Sequence, residues 1–383
     1  MFYFIVFLFM LIALLAEDEK RHLVFIVEMI VLTVILAIRF GQGPDYYSYS
    51  QLFAFAGNGI ATKGIEIGFY FLMRLFQPNF QFFIAVISVF EMWMLYRFIN
   101  TYSKHKTFSV LLAMPTLYLT YYFSAIRQGI IISVFIGYLL NCLLEEKWIQ
   151  YYVVSLLCCT IHLSAAIFLL LPIIKFFDLK TMYIFIVLSI IASLLLSTDV
   201  VKQIVASIPI VGPRFAVFFK GSFSFLAIMH RYVVFSIIMF LYLQSDKSER
   251  CQNIMLKIYI VGIIVYTVFS FSPLIASRSS YFFKVLELVL IPNLFIDYKH
   301  KDVIALFFVC LAFVMLYKNI ASYIYQGGYI IQSVIDYPYI TIFNTNDLYP
   351  YVNPFYKKFN FLHNSWLHEL VDSIFDFFQY VFQ

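Results

Sequence analysis

Apolar runs fill this chain almost end to end, and that pattern leaves few folds open. Stretches long enough to cross a bilayer, allowing for tilt and flanking aromatics, fall near 1–16, 22–40, 80–99, 107–124, 128–144, 181–198, 230–244, 254–272, 280–297 and 302–318. Charged residues make up 12% of the 383, against about 25% in a soluble domain. So few charges cannot cover a water-facing surface. The chain therefore reads as an all-α polytopic membrane protein, with about ten transmembrane helices plus re-entrant or short helices. The 46 Phe and 30 Tyr agree, because aromatic side chains favour protein cores and bilayer interfaces. The net charge of +5 sits in short loops, so it informs topology and does not point to nucleic acid.

The first run, MFYFIVFLFMLIALLA, lacks a basic leader and is followed by EDEKR, which is no small-residue cleavage site. It reads as a retained span. The five cysteines, Cys142, Cys158, Cys159, Cys251 and Cys310, show no metal-ligand spacing, so neither a zinc site nor a disulfide framework is expected.

Orientation follows from the connectors KRH (20–22), SKHK (103–106), EEK (145–147), KFFDLK (175–180), SDKSER (245–250) and YKHKD (298–302). They carry much of the Lys and Arg, and the positive-inside rule assigns them to the cytoplasm. Segment 148–174 then conflicts with that rule, since a single span would put EEK and KFFDLK on opposite sides. A hairpin broken near TIHLSA returns to the side it left and carries His162 and Ser164 at its tip. Such backbone is tolerated at membrane depth only inside protein or beside water. A plain tilted helix with a buried histidine is the alternative. With the hairpin, both termini, the loops 41–79, 199–229 and 273–279, and the tail 319–383 all lie outside. Residues 1–318 then form the transmembrane bundle.

On the outer side gather Asp45, Glu66, Arg127, His162, Arg214, Lys220, Arg231 and Arg278, with Gln128 beside Arg127. A guanidinium stays protonated and offers a planar fork matched to phosphate oxygens, so several at a membrane rim suit a lipid pyrophosphate. Arginines at span ends also snorkel to the interface without further role. Arg127 and Arg278 are harder to explain that way, since positive-inside bias depletes their side. The tail is rich in tyrosine and in Gly, Pro and Asn turns, and reads as an extracytoplasmic cap. It ends in WLHELVDSIFDFFQYVF, where Trp366, Leu370, Ile374, Phe378 and Phe382 line one face of an amphipathic helix. There is no GxxxxGK[ST], no GxGxxG before a helix and no GxSxG elbow. No DxD motif or His/Asp cluster marks a divalent cation site, so no cofactor and no metal are expected.

DYYSY, IEIGFYFL, SAIRQGIIISVFIGYLL, EEKW and CCTIHLSAAIFLLLPII occur in that order. The order resembles the EpsG-like branch of the Wzy oligosaccharide repeat-unit polymerases over roughly residues 40–300. The segments IPIVGPRFAVFFK and ASRSSYFFKVLELVLIP are similar to the family's later arginine-bearing segments. The chain departs from the pattern at Ile67, where proline is expected.

The resemblance implies a GT-C-like glycosyltransferase of the bacterial inner membrane, working on the periplasmic face and joining undecaprenyl-pyrophosphate-linked oligosaccharides into O-antigen or capsular polymer. Membrane lipid and a chain-length regulator protein are further partners in that picture. In the mechanism it implies, Arg127, Arg278 and then Arg214 stabilise the departing pyrophosphate, helped by Gln128, Lys220 and Arg231. His162, Asp45 and Glu66 are the candidates for the base on the acceptor hydroxyl. A flippase of lipid-linked oligosaccharide and an O-antigen ligase are the rival readings.

Overall fold

The computed structural model describes residues 1–62, 64–196, 198, 203, 225–245, 250–296, 298–326, 331 and 333–345. The described residues are helical except for connecting turns and one isolated antiparallel bridge between Arg39 and Thr341. Seven helices among them are long and apolar enough to cross a membrane. These are Arg21–Ile38, Phe80–Tyr102, Ile126–Leu144, Leu179–Leu196, Phe225–Gln244, Arg250–Val268 and Lys301–Tyr325. The chain is thus an all-α polytopic membrane protein.

Three expected spans take other forms. The first run is the shorter helix Phe2–Ala13. Run 107–124 begins as helix Lys106–Ala113 and widens into a π-helix, Met114–Tyr122. Pro115 has no N–H to give to a regular ladder, and the wider coil carries the chain past it. Run 280–297 is divided between helices Pro273–Lys284 and Glu287–Phe295. Lys284 and Glu287 flank the break and pair across it at 3.8 Å, and Pro292 lies within the second helix.

The chain forms two compact units. One comprises residues 1–93, 114–130 and 310–383; the other comprises 94–113 and 131–309. In the first, rings set the helix spacing. Phe53 meets Phe80 and Phe83 at 5.4 and 5.6 Å, and Phe69 meets Phe83 at 6.1 Å. These contacts hold helices Tyr46–Gly57 and Ile67–Leu75 against the start of Phe80–Tyr102. The tail bears on this unit as well. Helix Lys301–Gln326 runs on past the expected boundary at residue 318, and residues 338–342 then fold back onto 35–42. Phe40 N–H donates to Ile340 O at 2.9 Å and Ile342 N–H to Ile38 O at 3.0 Å. Tyr339 donates to Ile35 O at 2.7 Å and stacks on Phe2 at 4.1 Å. The expected terminal amphipathic helix lies outside the described residues.

In the second unit, Phe135 stacks on Phe168 at 4.9 Å, and Phe168 meets Phe282 edge-on at 5.2 Å. Segment 148–174 folds back on itself. Helix Trp148–Ile161 has 14 residues, about 21 Å at ~1.5 Å per residue, too short for a hydrocarbon core of ~30 Å. His162 is extended, and two 3₁₀ turns, Leu163–Ala166 and Leu171–Phe176, flank the helical turn Ile167–Leu170 on the way back. Tyr151 closes the hairpin by donating to Phe168 O at 2.7 Å. At its open end Lys175 pairs with Glu146 at 3.2 Å and lies 4.6 Å from the Trp148 ring centre. Lys175, and then Arg250, hold the Glu146 carboxyl below the usual carboxylate range.

That clasp makes a topological prediction. Cysteines placed singly at positions 145 and 178 of a cysteine-free protein are expected to react from the same side of the membrane. Protection of one and labelling of the other by an impermeant maleimide would rule the hairpin out.

Candidate functional site

Helix Arg21–Ile38 ends at Arg39, whose extended backbone (φ −61, ψ 143) leads into the turn GQGPD. Gly41 and Gly43 turn the chain with φ of 67 and 91. At Gly43 a side chain has no room, since a Cβ would lie 2.8 Å from the Phe123 carbonyl oxygen. This close approach lays residues 39–49 along residues 122–127 in matching order. Arg39 donates to Tyr122 O at 2.9 Å, and Asp45 Oδ2 accepts from Ser124 Oγ at 3.0 Å. The Asp45 N–H points back to Ser124 Oγ at 3.3 Å, and the Arg127 N–H points to the Tyr49 hydroxyl at 3.5 Å. The stretch 122–127 is itself shaped by the π-helix. Its last turns are closed by Phe123 N–H to Tyr118 O at 2.9 Å and Ala125 N–H to Thr120 O at 3.1 Å. Helix Ile126–Val134 starts immediately afterwards, and Arg127 occupies its first turn.

The Arg127 guanidinium reaches across to the next loop. Its Nη1 donates to Glu66 Oε2 at 2.7 Å and to Gly64 O at 3.2 Å, and its plane lies 5.9 Å from the Phe69 ring centre. Glu66 is the extended residue just before helix Ile67–Leu75, which is how its carboxylate comes to face Arg127. Both side chains are about a fifth exposed, at 22% and 21%. Arg127 Nε is buried with no hydrogen-bond partner. A guanidinium in a helix's first turn opposes the helix dipole, while an anion there is favoured by both the dipole and the cation. Burial pushes the Tyr49 hydroxyl pKa up, with Arg127 opposing, so Tyr49 is a neutral hydroxyl beside the site. The first unit therefore brings together Asp45, Glu66, Arg127 and the buried Gln128.

The second unit carries other expected residues. His162 is half-buried at the hairpin's break (φ −153, ψ 119). Its Nδ1 accepts from Ser164 N–H at 3.3 Å and lies 3.1 Å from Ser164 Oγ. A neutral imidazole that accepts at Nδ1 carries its proton on Nε2, so it presents a donor there. Arg231 is buried in helix Phe225–Gln244, 4.7 Å from the Tyr266 ring centre, with Nη2 3.4 Å from Ser280 Oγ. Arg278 is exposed on helix Pro273–Lys284. Arg214 and Lys220 lie outside the described residues.

The sequence reading missed Arg39, Tyr49, Ser124 and Glu91. Arg39 carried the same signal as Arg127, a guanidinium at the end of an apolar run. Glu91 stands inside the run 80–99, where a lone acid has no partner in sequence to announce it. Among the described residues, no three His, Cys, Asp or Glu side chains gather as a metal site. Compared with known proteins, the chain matches the model of the EpsG family over residues 22–340, a span that contains every described residue of both groups. No curated protein and no solved structure matches it.

Proposed function

The chain belongs to the EpsG family, which includes Wzy-type polymerase-like proteins, and from that premise we propose that it is a membrane glycosyltransferase polymerising lipid-linked oligosaccharide repeats. Family membership makes it a multi-pass membrane protein related to polysaccharide biosynthesis. The proposal adds the substrate, polyprenyl-pyrophosphate-linked oligosaccharide as donor and acceptor. It also adds the place, the periplasmic face of a bacterial inner membrane. The observation that carries it is Arg127, a guanidinium about a fifth exposed at a helix's positive end with a buried, unpartnered Nε. That is an arrangement for an anion with several oxygens.

In the reaction, an acceptor hydroxyl oxygen attacks C1 of the donor sugar. The bond from C1 to the pyrophosphate oxygen breaks, the hydroxyl proton passes to a base, and lipid pyrophosphate departs. Arg127 stabilises the charge growing on that leaving group. Glu66 holds the guanidinium poised before substrate arrives, with Oε2 committed to Arg127 Nη1 at 2.7 Å. Asp45 accepts one hydrogen bond, from Ser124, and so keeps acceptor capacity for a hydroxyl proton. His162, donating from Nε2, suits a hydrogen bond to a sugar oxygen. The account uses no metal ion.

A strain lacking the gene is the direct test. Glycan reduced to a single repeat unit on its acceptor is the expected result, whereas no glycan at all fits the flippase or ligase reading. Purified protein is expected to polymerise in excess EDTA. Activity lost with chelator and restored by Mg²⁺ or Mn²⁺ would overturn the arginine-based account of the leaving group.

A further inference from the structure

Two fully buried ionisable side chains lie behind the Arg127 turn, and neither belongs to the groups assigned above. Arg39 is 1% exposed and Glu91 is 0% exposed. Arg39 Nη1 donates to Leu36 O and, at 3.0 Å, to Ser88 Oγ. Its Nη2 donates to Tyr122 O at 2.9 Å, and its guanidinium carbon lies 5.0 Å from the Phe123 ring centre. Glu91 follows Ser88 by about one helical turn, which puts its carboxyl group on the same face of the helix. Neither Glu91 oxygen has a hydrogen-bond partner. The carboxylate is pressed instead against Gly129, where a Cβ would collide with Oε1 and lie 2.9 Å from Tyr121 O. Segment 121–129 is thus gripped by Arg39 at Tyr122 and Phe123 and by Glu91 at Gly129. Arg127 lies between the two grips.

Such a pair is a poor device for stability. Taking ionisable groups out of water is costly, and packed apolar residues of similar size often do as well or better. We propose that Arg39, with Glu91 packed behind Gly129, is a positioning residue that fixes segment 121–129 so that Arg127 meets the leaving group in register. The proposal rests on the reading of Arg127 given above and adds two residues to it. Three donors on one planar fork set the Tyr122 carbonyl more tightly than a hydroxyl or an ammonium can. Gly129 is required on the same account, because only a residue without Cβ lets the Glu91 carboxylate come so close.

The test compares purified wild type, Arg39→Lys, the double variant Arg39→Met/Glu91→Met, and Arg127→Ala as reference, each with a lipid-pyrophosphate oligosaccharide. The double variant leaves no orphaned charge, so it is expected to reach wild-type abundance and unfolding temperature. Its kcat is expected to fall about 10²-fold, the effect of a ~1 Å misplacement, with KM little changed. Arg39→Lys keeps the charge but not the fork, and part of kcat is expected to return. A double variant with wild-type kcat overturns the proposal. So does one that fails to fold, because a pair kept for position leaves a foldable apolar bundle when both groups go. Normal polymerisation by Arg127→Ala would instead sink the underlying reading of Arg127, whatever Arg39 does.

Discussion

Arg127→Ala is expected to leave repeat units unpolymerised while the protein accumulates normally, and Arg127→Lys is expected to be nearly as inactive. The lysine keeps a positive charge. It loses the planar fork that can hold Glu66 on Nη1 while its other N–H groups face a pyrophosphate. Removing a charge-assisted donor from a developing anion costs about 10²–10³ in rate. The competing view is that Arg127 merely holds the bundle together. The two views differ in what they predict: a pair only about a fifth exposed on both sides that served just to hold the bundle would take folded protein down with it when one partner is removed. The measurement is folded protein per membrane set beside polymer length on a silver-stained gel. Full-length polymer from Arg127→Ala would remove pyrophosphate binding from this residue.

The fold was legible wherever one physical rule acted alone. Apolar length marked the seven long helices, and the lysines flanking 148–174 marked a hairpin that the Lys175–Glu146 pair closes. Two rules acting together hid the rest. Run 280–297 is apolar on average, yet the helix breaks between Lys284 and Glu287. The widened helix Met114–Tyr122 gives no periodic signal, because a π-coil is set by which carbonyl each N–H reaches and not by hydrophobicity. In the site, Asp45, Glu66 and Arg127 stood out as polar groups in apolar surroundings, and the structure brings them together. Arg39 and Glu91 are as polar, but Tyr122 and Gly129, which they touch, lie far away in sequence. The fold-back of 338–342 onto 35–42 depends on backbone pairing that no residue type announces.

His162→Asn is expected to keep the hairpin and lose most of the activity, about 10²–10⁴-fold for a group that moves or holds a proton in the reaction. The histidine ring has two separable edges. Nδ1 caps the 3₁₀ turn Leu163–Ala166 by accepting from Ser164 N–H, and an asparagine side-chain oxygen can do the same. Nε2, on the other edge of the ring, then holds the proton of the neutral form. Asparagine offers no donor in that direction at that reach. His162→Ala loses both edges and is expected to lower stability by about 1 kcal/mol, the usual worth of an N-cap, as well as activity. Unfolding temperature and polymerisation rate, measured on both variants, distinguish the two edges. Wild-type polymerisation by His162→Asn, with loss confined to His162→Ala, would make His162 a cap and nothing more. Loss of activity in the asparagine variant at an unchanged unfolding temperature would place Nε2 in the reaction, and leave Asp45 as the group to take the proton from the acceptor hydroxyl.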